Sequence, residues 1–238
     1  MEWINDYLKA TAIYWGYFII FATALIVVRL KVRVQDHIFR KLLHFVAFIS
    51  VFPLIQSTEK WYIAFAVQLT FLALVIIALS IFERFSFYKD LFVEKGRHEV
   101  IISFVLMFSM VALMILVFWG LLSEEYKYII PAAIMAWGPG DAAAAIVGKS
   151  IGKHKLSGKM IEGVKSVEGT LSMGITSFIF TAVTLFFMSG LSTAAILLVS
   201  IIIAISAALT ELFTKHGLDT VTVPVIASVI LYLAAQFK

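Results

Sequence analysis

The chain has 238 residues, 62% of them hydrophobic and 14% charged, with a mean hydropathy of +1.00. A globule of this size cannot bury so much apolar surface, which excludes an ordinary soluble enzyme, a disordered chain and a disulfide-stapled module. The absence of cysteine removes zinc thiolates and thiol nucleophiles, and a dispersed net charge of +4 excludes a nucleic-acid-binding domain.

Eight apolar runs are long enough to cross a bilayer: about 12–28, 40–55, 61–82, 100–121, 128–148, 169–188, 193–212 and 220–236. They are continuous rather than alternating, which predicts helices and not a barrel. The expected fold is all-α: a polytopic helical membrane protein of about eight transmembrane helices, in one integral domain over 1–238. Glu2 and Asp6 precede the first lysine, so no cleavable signal peptide is expected. Fifteen of the nineteen Lys and Arg residues fall in alternate connections, from Arg29 through Arg84 and Lys149 to Lys215. The positive-inside rule therefore predicts both termini outside, with the connections 83–99 and 149–168 in the cytoplasm.

The second span opens with Arg40-Lys41-Leu42-Leu43-His44. Arg40 and His44 share a helix face, and Arg suits a phosphate clamp; snorkelling stop-transfer charge is the alternative. In the next cytoplasmic connection Glu94, Arg97, His98 and Glu99 read as a solvated charge cluster.

The fifth span holds Trp137-Gly138-Pro139-Gly140-Asp141 and four alanines. Pro removes a backbone donor and Gly loosens a helix, so the spacing predicts a break at Gly-Pro-Gly. Asp141 then lies roughly 12 Å inside the helix end, at the usual rise per residue. A carboxylate at that depth is costly and points to function, or else caps a second half-helix. Gly148-Lys149-Ser150 ends like a P-loop, but Ala143 stands where that motif needs glycine and no strand precedes it.

The following connection carries Lys149, Gly152, Lys153, His154, Lys155, Gly158 and Lys159, then Lys165-Ser166-Val167-Glu168-Gly169-Thr170. Lysines among glycines and hydroxyls suit a polyphosphate, or equally anionic headgroups. Glu168 also suits a helix N-terminus. Glu211 ends the seventh span, where a carboxylate opposes the macrodipole and needs a metal or a lysine beside it. Asp219 reads as an N-cap of the eighth span. Asp141, Glu168, Glu211 and Asp219 all fall on the cytoplasmic side, as do Arg40, His44 and Lys165. Oxygen ligands with basic partners and no cysteine predict a site for Mg²⁺ and a polyphosphate.

Together, Arg40-Lys41-x-x-His44, Gly138-x-Gly140-Asp141-Ala142-Ala143-Ala144, Gly148-x-x-x-Gly152-Lys153, Lys165-Ser166-x-Glu168-Gly169-Thr170 and Glu211…Asp219…Pro224 resemble the polyprenol kinase family. Its members include dolichol, phytol and CTP-dependent diacylglycerol kinases. The resemblance runs from about residue 38 to the C-terminus, and Thr220 stands where many members carry Asn. It implies a multi-span enzyme that moves the γ-phosphate of a nucleotide, typically CTP, to a lipid alcohol with a divalent metal. Asp141, Lys165, Glu168 and His44 are then the expected catalytic residues. Arg40, Gly138, Gly140, Lys153, Ser166 and Gly169 would hold the nucleotide, with Asp141, Glu168, Glu211 and Asp219 as metal ligands. The implied partners are a lipid alcohol, a nucleoside triphosphate and membrane lipids. Rival readings are a phosphatidate cytidylyltransferase, which would release pyrophosphate, and a transporter with a broken-helix ion site.

Overall fold

The computed structural model describes residues 2–32, 34–85, 88, 98–215 and 217–237, without the side chains of His37 and Glu99. Glu94 and Arg97, expected in a solvated cluster, lie outside the described residues. Among the described residues the chain is all-α apart from one hairpin. Seven helical stretches among the described residues are long and apolar enough to cross a membrane, and Asp219–Ala235 is a shorter apolar helix. Two compact units divide the chain at Glu124.

The first unit holds α1 (Glu2–Lys31), α2 (Asp36–Ile49), α3 (Val51–Gln56), α4 (Trp61–Phe82) and α5 (Glu99–Met114), which continues as a π-helix over Ile115–Leu122. Its core is aromatic, with Tyr14, Phe18, Phe71 and Phe108 in mutual contact. Tyr14 and Gln68, buried there, pair with each other and with the backbone, as apolar surroundings require. The Tyr14 hydroxyl donates to Gln68 Oε1 at 2.8 Å, and Gln68 Nε2 donates to the Phe108 carbonyl at 2.9 Å. Lys60 Nζ donates to Asp6 Oδ2 at 2.7 Å, so the start of α1 and the turn before α4 share one end of this unit.

The second unit is built from α6 (Ile129–Ser150), strands β1 (Lys155–Gly158) and β2 (Ile161–Ser166), α7 (Val167–Met188), α8 (Thr193–Phe213) and α9 (Asp219–Ala235). The strands pair antiparallel, Lys155 opposite Ser166 and Leu156 opposite Lys165. Short connections make successive helices antiparallel neighbours. The hairpin and the end of α8 therefore lie together, and Lys215 Nζ donates to the Lys159 carbonyl across them at 2.7 Å. Gln236 and Tyr126 meet at the opposite end.

One expectation needs correction here. α6 runs unbroken through Gly138-Pro139-Gly140, and every residue from Ile129 to Gly140 is buried. Asp141 accordingly lies mid-helix and caps nothing. Pro139 does cost the Met135 carbonyl its usual partner, but packing outweighs that loss. The Ser177 hydroxyl of α7 donates to the adjacent Ala136 carbonyl. The glycines serve close approach instead: a Cβ on Gly140 would lie 2.6 Å from both Met173 Sδ and Ser177 Oγ. Gly140→Leu should therefore lower stability by about 1–3 kcal/mol through overpacking. Gly16→Ala, where a new Cβ meets nothing within 4 Å, should be neutral or stabilising. Thermal unfolding of the two variants in detergent measures the contrast.

Candidate active site

A cavity of about 420 Å³ opens in the second unit, where α6, the hairpin, α7 and α8 converge. Asp141, Ala144, Ala145 and Gly148 line it from α6, Lys155, Val164, Lys165 and Ser166 from the hairpin, Gly169 and Thr170 from α7, and Glu211 from α8, with Lys149 at its mouth. Two acidic residues, three lysines and two hydroxyl-bearing residues thus line one volume.

Glycine makes this convergence possible. A Cβ on Gly169 would lie 3.0 Å from the Ala144 carbonyl oxygen and 3.3 Å from Gly148 Cα. One on Gly152 would collide with the Gly148 carbonyl and the Ser166 side chain. The start of α7 therefore sits directly against the end of α6. Ser166 is the N-cap of α7, its hydroxyl accepting from Gly169 N at 3.1 Å.

Lys165 and Glu211 are joined across the cavity wall. Lys165 Nζ donates to Glu211 Oε1 at 2.8 Å and also to the Glu211 carbonyl, with side chains 21% and 14% exposed. This resolves the unfavourable position of Glu211 at a helix C-terminus: the neutralising partner is a lysine. The same pair anchors β2 to α8.

Glu168 takes a different course. Its carboxylate accepts from His154 N at 3.2 Å and lies 2.7 Å from His154 Nδ1, which holds the turn before β1 over the start of α7. Asp219 is the first residue of α9, with Leu218 as N-cap, and accepts from Trp137 Nε1 at 3.4 Å. Neither residue lines the cavity. The four carboxylates expected to share a metal are therefore not assembled. Among the described residues no group of three or more His, Asp or Glu side chains comes together. Sequence order put them on one side of the membrane, but helix rotation and local pairing turn Glu168 and Asp219 elsewhere.

Of the residues expected to hold a nucleotide, Ser166 and Gly169 line the cavity, whereas Gly138 and Gly140 are buried in α6. Lys153 is exposed outside the lining, while Lys149 and Lys155 belong to it. Thr170 was legible only as the last letter of a motif; its hydroxyl is buried and has no hydrogen-bond partner among the described residues. Arg40 and His44 belong to the first unit. His44 Nδ1 lies 2.7 Å from the Arg40 carbonyl, a position only an N–H can fill, and its ring stacks near Phe104.

Over 91 residues the chain is 41% identical to a phytol kinase of Synechocystis sp., a stretch covering 38% of this chain and 37% of that protein. The resemblance to the polyprenol kinase family is borne out. The aligned part spans well under half of either protein. No family model and no solved structure matches the chain.

Proposed function

We propose that this protein is a membrane-embedded lipid-alcohol kinase that transfers the γ-phosphate of a nucleoside triphosphate, by family resemblance CTP, to an isoprenoid alcohol or diacylglycerol. The observation that carries the reading is the cavity that Asp141 and Glu211 line together with Lys149, Lys155 and Lys165. Similarity to a phytol kinase supports the same reaction class.

Phosphoryl transfer asks a protein for positioning and charge neutralisation more than for covalent chemistry. Lys149 and Lys155 provide positive charge for phosphate oxygens at the mouth. The Lys165 ammonium fixes the Glu211 carboxylate at the wall while offsetting negative charge on the transferring group. The donor set fits a hard divalent cation: Asp141 and Glu211 are the two lining carboxylates that would hold Mg²⁺. Such an ion would supply positive charge against the phosphates. Asp141, half-buried in α6, is also the carboxylate placed to accept the proton of an attacking alcohol.

Product analysis on the purified protein tests the reading. Incubation with a long-chain prenol and labelled CTP should yield prenyl phosphate and CDP. Release of pyrophosphate would assign the cytidylyltransferase reaction instead.

In this reading the cavity faces the cytoplasm and both termini lie outside. The chain has no cysteine of its own, so single cysteines report without background. In intact cells Glu59→Cys, Glu125→Cys and Thr193→Cys should react with an impermeant maleimide, and Ser157→Cys and Met160→Cys should react only after permeabilisation. The reverse pattern would invert the orientation.

A further inference from the structure

A second concavity, of about 410 Å³, runs between α7 and α8. Gly174, Ala204 and Ala208 are its small residues, and Ile175, Phe178 and Ile205 its larger ones. Every lining residue is apolar or glycine except Thr170 at one end, and Thr170 also lines the polar cavity. One residue therefore joins a charged chamber to an apolar groove. Its Oγ1 is buried and without a hydrogen-bond partner among the described residues, a condition that native proteins rarely leave unmet.

We infer that the groove holds the tail of the lipid alcohol and that Thr170 Oγ1 exchanges a hydrogen bond with the substrate hydroxyl. The inference rests on the kinase reading above and names the part of the site that recognises the acceptor. A long apolar chain ending in one hydroxyl matches both features: carbon along the groove and a single polar group at its charged end. A phospholipid acyl chain matches only the first. From Thr170 to Phe178 the groove covers about 12 Å of helix at the usual rise. The site reads the shape of the tail nearest the hydroxyl, and the remainder lies in the bilayer. A Cβ on Gly174 would stand 3.7 Å from the Ala204 carbonyl and Ala208 Cβ, so side chains added there extend into the groove without a backbone clash.

The experiment uses the full chain in nanodiscs. Thr170→Val removes the hydroxyl and keeps the shape; it should reduce kcat/KM for a long-chain prenol about tenfold, with the nucleotide KM unchanged and thermal stability not lowered. Thr170→Ser should restore the rate. In parallel, a diazirine-tagged long-chain isoprenoid alcohol is photolysed on the protein and its adducts mapped. Adducts should fall on α7 and α8 around Phe178 and Ile205. They should be lost in Gly174→Leu and in Ile205→Trp, a rim substitution at a residue already 57% exposed and therefore tolerant of bulk. Adducts on other helices, or undiminished in both folded variants, would overturn the inference, as would full activity of Thr170→Val. Equal displacement of the probe by a phospholipid lacking a free hydroxyl would also overturn it, marking a surface for bulk lipid. Groove adducts without phosphate transfer from any nucleotide would leave the tail site standing and remove the kinase reading.

Discussion

Asp141→Asn should abolish phosphate transfer, by at least about 10²-fold in kcat, while the protein remains folded. Asp141 is the only carboxylate that α6 contributes to the cavity, and Lys155 and Lys165 of the hairpin line the same cavity. Asn keeps the size and polarity of the side chain but supplies no negative charge, so a divalent cation loses a ligand and an attacking hydroxyl loses its proton acceptor. Because α6 is continuous through this position, Asp141→Ala should fold as well as Asp141→Asn and be equally inactive. A half-helix cap would behave otherwise, with Ala distinctly less stable than Asn. The measurements are steady-state transfer to a prenol at several Mg²⁺ concentrations and thermal unfolding of both variants. Wild-type turnover by Asp141→Asn would remove Asp141 from the chemistry.

Lys165→Ala should lose activity and stability together. The lysine satisfies both the carboxylate and the carbonyl of Glu211 at the end of α8, and both side chains are mostly shielded. Its removal leaves a shielded carboxylate at the negative end of a helix, at a cost of about 2 kcal/mol. In a chain of this length that lowers Tm by roughly 4–8 °C. Nucleotide KM should rise about tenfold or more through loss of a charge-assisted contact. The double variant Lys165→Ala, Glu211→Ala separates the two effects. It should recover much of the stability, since no charge is left unpaired, and none of the activity. Recovery of both would make the pair a strut between β2 and α8 with no part in the reaction.

The membrane character, the helical class and the positions of the spans follow from the sequence alone. Runs of twenty apolar residues with charge confined to the connections admit only helices in a bilayer. α4 over Trp61–Phe82 and α7 over Val167–Met188 match the predicted 61–82 and 169–188 closely, because their limits are set by charge and capping residues local to the chain. Asp141, Lys165 and Glu211 were legible for a related reason: an ionised group beside apolar sequence is expensive and must be explained. What the sequence could not determine is which of these groups meet. Glu168 sits at a helix start as expected, and Asp219 stands one residue inside the Leu218 cap rather than capping the helix itself, yet His154 and Trp137 take them, and those contacts depend on helix rotation. The lone Gly-Pro-Gly reads as a break when only backbone propensity is weighed. Burial against Met173 and Ser177, from a helix more than thirty residues away in sequence, keeps it helical. The β1–β2 hairpin and the double membership of Thr170 in cavity and groove likewise exist only once α6, α7 and α8 have packed. Close contact between the glycine surfaces of α6 and α7, rather than any local signal, sets that packing.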